Sequence, residues 1–182
     1  MQAEQLTASS SLDALIDALR RLVDGRDEAA VASSVAEQLG RFLTRDDLLA
    51  PEQCEPDPAH YRQHVLHVEP DGSFSVVALV WLPGQVTPIH DHISWCVVGV
   101  HRGQELETRY HPVERDGETW LQAVDETVNP IGSVAALTPP GDIHKVANGG
   151  DTLAISLHVY GADIRVLGSS IRRRYDRPVL NG

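Results

Sequence analysis

Residues 87–103 read TPIHDHISWCVVGVHRG, and this stretch decides how the rest of the chain is interpreted. It places His90 and His92 two residues apart at the start of an apolar run that is typical of a β-strand. Side chains two residues apart on a strand point to the same face, so the two imidazoles enter one space. Inside a barrel such a pair can bind one metal ion, whereas on an edge strand it would be a pair of exposed histidines.

The sequence after residue 60 consists of short alternating or apolar runs, such as FSVVALVWL at 74–82 and TLAISLHVY at 152–160. Turn signals such as Asp116-Gly117 separate the runs, and no helical pattern lies between them. Many short strands at regular spacing predict an antiparallel sandwich or barrel. We therefore expect a mostly β fold, with a barrel over residues 60–182 that carries the metal site.

Residues 1–59 have a different pattern, which predicts an N-terminal helical cap and a linker. A capping box at Ser10 and apolar residues at helical spacing predict a first helix that ends at Gly25. A second helix is expected from about Asp27 to Leu43. Three prolines in PEQCEPDP, residues 51–58, mark the linker.

The composition is that of a globular protein with a strong negative charge. The 182 residues are 42% hydrophobic and carry a formal net charge of −11, which argues against nucleic acid or an anionic membrane as a partner. No window is long and apolar enough for a membrane span, and the first residues lack the features of a signal peptide. Two cysteines, Cys54 and Cys96, make no disulfide framework, so we expect a cytoplasmic location. Nothing in the sequence indicates an oligomeric state.

Two clusters of glycine and histidine residues resemble the two sequence motifs of the cupin superfamily, whose fold is a double-stranded β-helix or jelly-roll barrel. The first cluster consists of Gly84, His90, His92 and Gly103, and the second of Pro139, Gly141, His144 and Asn148. The resemblance implies that His90, His92 and His144 are the metal ligands. It also places Cys96 where a typical cupin has a glutamate ligand. Three neutral imidazoles then remain, and we expect the substrate to supply an anionic ligand, above all a thiolate.

A row of three polar side chains occupies alternate positions near the end of the barrel sequence. Ser156, His158 and Tyr160 share one face of the predicted strand, with Leu157 and Val159 on the other. Alone, such a row is more often ordinary strand patterning. Beside a metal it predicts a hydrogen-bond relay, in which Ser156 orients His158 and His158 orients the hydroxyl of Tyr160.

With these residues in view, the chain resembles the thiol dioxygenases, the cupin family of cysteine dioxygenase and 3-mercaptopropionate dioxygenase. The resemblance covers roughly residues 60–165 and is closer to the bacterial, 3-mercaptopropionate-type branch. It rests on Tyr61-Arg62-Gln63, on residues 74–81 and 87–92, on His144 and on SLHVYG at 156–161. It implies an Fe(II) enzyme that adds both atoms of O2 to the sulfur of a small-molecule thiol to give a sulfinate. Tyr160, His158 and Ser156 would be its catalytic residues.

The resemblance leaves the role of Cys96 open. In the animal enzymes of the family, a cysteine at the corresponding position forms a thioether with the active-site tyrosine, while bacterial members tend to carry glycine there. A Cys96–Tyr160 crosslink is therefore chemically feasible in this chain. The alternative is that Cys96 serves as a small buried hydrophobic residue.

The residues that bind the polar end of the substrate are less well defined. Gln63 and His64 occupy the segment that the cysteine enzymes use for the substrate carboxylate. Arg172 is the candidate from a group of arginines beyond Tyr160, which is equally consistent with a solvated charge run. This group consists of Arg165, Arg172, Arg173 and Arg174. Asp163 would instead favour a cationic group, so 3-mercaptopropionate, cysteine and a betaine thiol such as ergothioneine all remain candidate substrates.

Two other functions are compatible with the sequence. The first is a different metal-dependent cupin enzyme, such as a lyase that uses a tyrosinate as its base, but such enzymes generally retain a carboxylate ligand. The second is a non-catalytic cupin that binds a small molecule, in which the row of Ser156, His158 and Tyr160 would have no purpose.

Overall fold

The structure is a computed structural model that describes residues 10–23 and 27–180. Its helical segments within these residues are α1 (Ser11–Arg20), α2 (Glu28–Gly40), a 3-10 helix (Pro51–Cys54) and α3 (Ile164–Leu167). Helix α1 begins at the predicted capping box, where the Ser10 hydroxyl accepts a hydrogen bond from the Asp13 amide at 3.2 Å. The end predicted for it at Gly25 lies outside the described residues, and α2 ends at Gly40, before the expected Leu43. None of the described helices is long and apolar enough to cross a membrane.

The described residues form two antiparallel sheets that face each other. The strands are β1 (Arg62–Val68), β2 (Ser75–Trp81), β3 (His90–His92), β4 (Cys96–Arg102), β5 (Gln104–Arg115), β6 (Glu118–Pro130), β7 (Val134–Leu137), β8 (His144–Asn148), β9 (Ala154–Tyr160), β10 (Ile171–Arg174) and β11 (Val179–Leu180). One sheet has the order β1-β2-β9-β4-β7, and the other has the order β10-β3-β8-β5-β6-β11, in which β11 alone pairs in parallel. The predicted fold, a mostly β cupin barrel preceded by α-helices, is confirmed.

The inner strands β2 and β9 of the five-stranded sheet are buried on both faces. Every residue of β2 and β9 is buried, although alternate side chains of a strand point in opposite directions. Val76, Ala78 and Val80 pack in one apolar cluster with Leu15 of α1 and Leu39 of α2. The residues between them, such as Val77 and Leu79, belong to a second cluster inside the barrel. Because the helices cover the outer face, β2 reads as a nearly continuous apolar run and not as an alternation.

Gly99 of β4 permits this close approach of the helical layer. A Cβ at this position would lie 2.8 Å from Leu43 Cδ1 and 2.9 Å from Leu39 Cδ2, closer than carbon atoms can pack. A side chain here would therefore force the side chains of Leu43 and Leu39 to move. The N-terminal helices thus share a close-packed core with the barrel strands.

The strands that bear the predicted site residues face each other across the barrel interior. In the six-stranded sheet, β3 lies between β10 and β8, and His90 is in register with His144. In the opposite sheet, β9 is the central strand between β2 and β4. The imidazoles of β3 and β8 and the polar row of β9 therefore meet inside one barrel.

Candidate metal centre

The side chains of His90, His92 and His144 converge at one point inside the barrel. One nitrogen from each ring lies within 4.8 Å of the corresponding nitrogens of the other two, and all three residues are buried. The ring centroids are 4.7 Å apart for His90 and His144 and 4.9 Å apart for His90 and His92. Among the described residues, this group of candidate ligands contains no carboxylate. A single ion about 2 Å from each nitrogen would hold the nitrogens at most about 4 Å apart, which lies within this bound.

The other nitrogen of each ring is held by an oxygen acceptor. His90 Nδ1 lies 2.9 Å from the Pro88 carbonyl oxygen, His92 Nδ1 lies 2.8 Å from Asp142 Oδ2, and His144 Nδ1 lies 2.9 Å from Glu107 Oε1. These contacts assign the proton to Nδ1 and leave the Nε2 lone pair free in each ring. His144 Nε2 is buried and has no hydrogen-bond partner in the described part of the chain, as a ligand nitrogen would require. The residues therefore fit a bound metal ion.

Burial keeps the imidazoles of His90 and His144 uncharged, as metal ligation requires. The pKa of His90 is lowered to about 3, mainly by burial and further by the neighbouring His144 and His92. The pKa of His144 is also lowered by burial, against the opposing influence of Glu107. A neutral imidazole offers its lone pair to a cation without first losing a proton.

Two carboxylates stand behind the histidines, and sequence reasoning missed both of them. Burial alone would raise the pKa of Asp142, but its hydrogen bond and charge interaction with His92 hold that pKa below its ordinary value. Glu107 behaves in the same way, with His144 and Arg109 as the groups that lower its pKa. Both side chains are therefore anionic and offset part of the charge of a cation at the centre. Asp142 had a sequence signal, because it lies two residues before His144 in the second histidine motif.

The three polar side chains of β9 are joined by hydrogen bonds. Ser156 Oγ lies 3.0 Å from His158 Nε2, and the Tyr160 hydroxyl lies 3.2 Å from His158 Nδ1, with all three side chains buried. Burial lowers the pKa of His158 well below its ordinary value, so its ring is neutral. Burial likewise raises the pKa of Tyr160 well above its ordinary value, so the phenol keeps its proton. The rings of Tyr160 and His92 are 6.2 Å apart, which puts the end of the relay beside the metal centre.

A cavity of about 210 Å³ extends from the metal centre toward solvent. Its described lining consists of Tyr61, Gln63, Leu79, Trp81, Thr87, His90, His92, His144, Val146, His158, Tyr160, Gly168, Ser169, Ser170, Ile171 and Arg174. No acidic side chain belongs to this described lining. The volume suits a small molecule of a few non-hydrogen atoms, bound with one end at the histidines.

The four residues predicted to bind the polar end of the substrate lie in different surroundings. Gln63 lines the cavity. His64 points away to the Glu55 carbonyl oxygen at 3.0 Å, and Asp163 caps α3 by accepting from the Arg165 amide at 2.9 Å. Arg172 forms an ion pair with Asp91. None of His64, Asp163 and Arg172 belongs to the described lining of the cavity.

Arg174 lines the cavity in the place where the sequence suggested Arg172. The pairing of β10 with β3 shifts register between Ile171 and Arg173, which breaks the alternation of side chains along β10. As a result Ile171 and Arg174 both face the cavity, while Arg172 and the Tyr175 hydroxyl bind Asp91. These two contacts attach β10 to the strand that carries His90 and His92.

A β-barrel that directs three histidines to one buried point defines a metal-binding cupin. The family described as cysteine dioxygenase type I matches residues 1–173, which is more than nine-tenths of the chain. This chain therefore belongs to that family, whose members are non-haem iron dioxygenases.

Several solved structures are similar to this chain at low identity. A protein from Thermus thermophilus is 20% identical, with a TM-score of 0.45, over 61% of this chain and 91% of that one. An uncharacterized conserved protein with a double-stranded β-helix domain from Klebsiella pneumoniae is 21% identical, with a TM-score of 0.46, over 65% and 92% of the two chains. A Cupin 2 conserved barrel domain protein from Salinispora arenicola is 21% identical, with a TM-score of 0.43, over 66% and 90%.

Proposed function

We propose that this chain is an iron(II)-dependent thiol dioxygenase that adds both atoms of O2 to the sulfur of a small, carboxylate-bearing thiol and yields a sulfinate. The observation that carries the proposal is the set of three convergent, buried imidazoles, in which His144 Nε2 has no protein partner among the described residues. Imidazole nitrogens suit iron(II), and three of them on one side leave coordination positions open on the other. Bound there, ferrous iron would supply those positions for the thiolate sulfur and for O2.

The residues around the centre have separate roles in this proposal. Asp142 and Glu107 fix the ring orientation of His92 and His144 through their Nδ1 contacts. His158 holds the phenol of Tyr160, whose proton is not lost at neutral pH because its pKa is raised by burial. Tyr160 then donates a hydrogen bond to the substrate or to the oxygen that it receives.

Arg174 is the proposed binding group for the carboxylate of the substrate. It lines the cavity, and it is close enough to Tyr61 to lower the pKa of that phenol, which burial raises. Guanidinium groups bind carboxylates with two parallel hydrogen bonds, which orients the bound molecule. Because no acidic side chain lines the described cavity, an amino group on the substrate would have no counter-charge. This favours 3-mercaptopropionate over cysteine and over cysteamine.

Oxygen uptake with a panel of thiols tests the proposal. The protein is loaded with ferrous iron without air and supplied with O2 and 3-mercaptopropionate, cysteine, cysteamine or ergothioneine. We expect one O2 consumed per thiol, a sulfinate product, and the highest kcat/KM for 3-mercaptopropionate. His144→Ala should abolish both iron binding and uptake, whereas His111→Ala, at an exposed histidine of β5, should retain both. Absence of uptake with every thiol would contradict the proposal.

A further inference from the structure

A buried carboxyl group lies outside the metal centre, at the far end of the polar row on β9. Glu105 of β5 is 1% exposed, and its Oε1 has no hydrogen-bond partner among the described residues. The groups that face this carboxyl are the hydroxyl of Ser156 and the indole N–H of Trp81. A buried carboxyl with an open oxygen is costly unless it takes part in a larger hydrogen-bond network.

The hydrogen bonds of Ser156 and His158 have only two consistent arrangements. Trp81 Nε1 always donates, and it donates to Ser156 Oγ at 3.2 Å. The neutral ring of His158 donates from one nitrogen and accepts at the other. In the first arrangement Ser156 Oγ donates to His158 Nε2, and His158 Nδ1 donates to the Tyr160 oxygen. In the second arrangement His158 Nε2 donates to Ser156 Oγ, and the Tyr160 hydroxyl donates to His158 Nδ1.

We propose that Glu105 is the remote end of this row of hydrogen bonds. Its protonation state sets the direction of the hydrogen bonds that reach Tyr160. When Glu105 carries a proton, it donates to Ser156, Ser156 donates to His158 Nε2, and His158 Nδ1 donates to the Tyr160 oxygen. The Tyr160 proton then points into the cavity. When Glu105 is ionised, Ser156 donates to it, His158 Nε2 donates to Ser156, and Tyr160 donates to His158 Nδ1. Between these two states Glu105 loses its O–H proton to water, and the proton on the His158 ring moves from Nδ1 to Nε2. Ser156 and Tyr160 each keep one hydroxyl proton, no bond between heavy atoms changes, and no electron is transferred.

The surroundings of Glu105 bring its titration into the neutral range. Burial raises its pKa, Ser156 lowers it, the charge of Glu107 raises it and Trp81 lowers it, with a result of about 7.

The other titratable groups around Glu105 lie on β4, β8 and β9. His144 lines a cavity of about 10 Å³ together with Glu105. The others are Cys96, His158 and Tyr160. The neighbouring strands β6 and β8 present the uncharged Asn129 and Asn148 opposite Glu105. The small cavity has room for about one water molecule, which gives Glu105 a partner for proton exchange.

This inference rests on the proposed function, because the donor state of Tyr160 is the one that assists thiol oxidation. Glu105 is a positioning residue, since it acts on the site through Ser156 and His158 and does not touch the substrate. The Glu105→Gln variant is the informative change, because the amide N–H₂ can donate to Ser156 as the protonated acid does. Glu105→Gln should hold the hydrogen bonds permanently in the arrangement that directs the Tyr160 proton into the cavity.

The test is the pH profile of kcat in the iron-loaded protein with saturating 3-mercaptopropionate. In the unmodified protein we expect kcat to fall by about tenfold per pH unit above the pKa of Glu105. In Glu105→Gln we expect kcat to keep its low-pH value as the pH rises, without this fall. The exposed Glu114→Gln on the same strand is the matched control and should keep the unmodified profile. A Glu105→Gln profile identical to the unmodified one would overturn the inference.

Two further measurements do not depend on the Glu105→Gln variant being active. Infrared spectra should contain a protonated-carboxyl band that disappears as the pH rises and that Glu105→Gln lacks. Ser156→Ala removes the hydroxyl that connects Glu105 with His158. This variant should therefore lose the pH-dependent fall in kcat while its infrared band still titrates. Persistence of the fall in Ser156→Ala would contradict the inference even if Glu105→Gln did not fold. Loss of thiol oxidation in the unmodified protein would instead contradict the proposed function and leave the infrared result as a separate test.

Discussion

Cys96 and Tyr160 lie directly opposite each other on the neighbouring antiparallel strands β4 and β9. Both side chains are buried and belong to the same cluster inside the barrel. Side chains at opposed positions of an antiparallel pair are about 4.5–5.5 Å apart at their Cβ atoms. The thiol is therefore a neighbour of the phenol, and it contributes to the raised pKa of Tyr160 after burial itself.

We predict that this pair forms a thioether when the iron-loaded protein turns over in air. The Cys96 S–H bond and a ring C–H bond of Tyr160 break, a C–S bond forms, and O2 accepts the two electrons and two protons. Mass spectrometry of the peptides should then find a loss of two hydrogens. Cys96→Ser should prevent this change, and Cys54→Ser, at the cysteine outside the barrel interior, should not. An unaltered mass after many turnovers would leave Cys96 as a buried apolar residue.

Arg174 should control the affinity for substrates that carry a carboxylate. Removing a charged hydrogen-bond donor costs about 1.5–3 kcal/mol, so Arg174→Ala should lower kcat/KM for 3-mercaptopropionate by about 10- to 100-fold. Cysteamine has no carboxylate, and its kcat/KM should change much less. Steady-state oxygen uptake measures both values. Arg165→Ala is the control because Arg165 pairs with Asp163 at α3. Equal losses for the two thiols would contradict carboxylate binding by Arg174.

Asp142 and Glu107 should determine how tightly the histidines hold the metal. Each carboxylate accepts from the Nδ1 of a ligand ring, and loss of such a partner typically weakens metal binding by about 10- to 100-fold. We expect this loss for Asp142→Asn and for Glu107→Gln. Anaerobic titration with iron(II) measures it directly. The exposed Glu126→Gln on β6 should bind iron as the unmodified protein does. Unchanged affinity in both buried variants would mean that the carboxylates do not support the ligands.

The protonation of Glu105 should also appear in the stability of the metal-free protein. Its pKa is about 7 in the folded protein against an ordinary value of 4.5. Between these pH values the folded chain holds a proton that the unfolded chain has lost. The contribution of Glu105 is therefore full below pH 4.5 and declines until the pH passes about 7.

At about 1.4 kcal/mol per pH unit, this decline amounts to roughly 3 kcal/mol. Urea unfolding measures the free energy of unfolding of Glu105→Gln and of the unmodified protein. The difference between the two free energies should change by this amount between pH 4.5 and about pH 7, in favour of the variant as the pH rises. Glu114→Gln should follow the unmodified protein throughout. Parallel stability curves for Glu105→Gln and the unmodified protein would contradict the raised pKa.

Gly99 and Gly40 form a matched pair for testing how the helices attach to the barrel. A Cβ at Gly99 would lie 2.8 Å from Leu43, so Gly99→Ala should cost about 1–3 kcal/mol and lower the melting temperature. A Cβ at Gly40 would make an ordinary contact of 3.5 Å with Val134, and alanine at the end of α2 is a better helix residue. Gly40→Ala should therefore be neutral or stabilising. Thermal unfolding compares the two variants, and equal melting temperatures would contradict the close contact at Gly99.

The features that could be predicted are those that depend on short-range periodicity. Alternation along single strands predicts the pair of His90 and His92, the polar row on β9 and the large number of short strands. The capping box at Ser10 is equally local, and the structure contains it. The assignment of residues 1–59 and 60–182 to a cap and a barrel stays a prediction. The packing of α1 and α2 against the sheet depends on contacts between distant segments, which periodicity does not contain.

By itself, the sequence determined which residues share a face, because side-chain direction on a strand repeats every two residues. That was enough to pair His90 with His92 and to place Ser156, His158 and Tyr160 in order on one face, whereas His144 was named through the resemblance to the cupin motifs. Only the tertiary structure decided which groups meet across strands and sheets. It placed Glu105 behind Ser156, and through a register shift in β10 it turned Arg174 and not Arg172 toward the cavity. These choices depend on strand register and irregularities, which are set by packing between segments far apart in the chain.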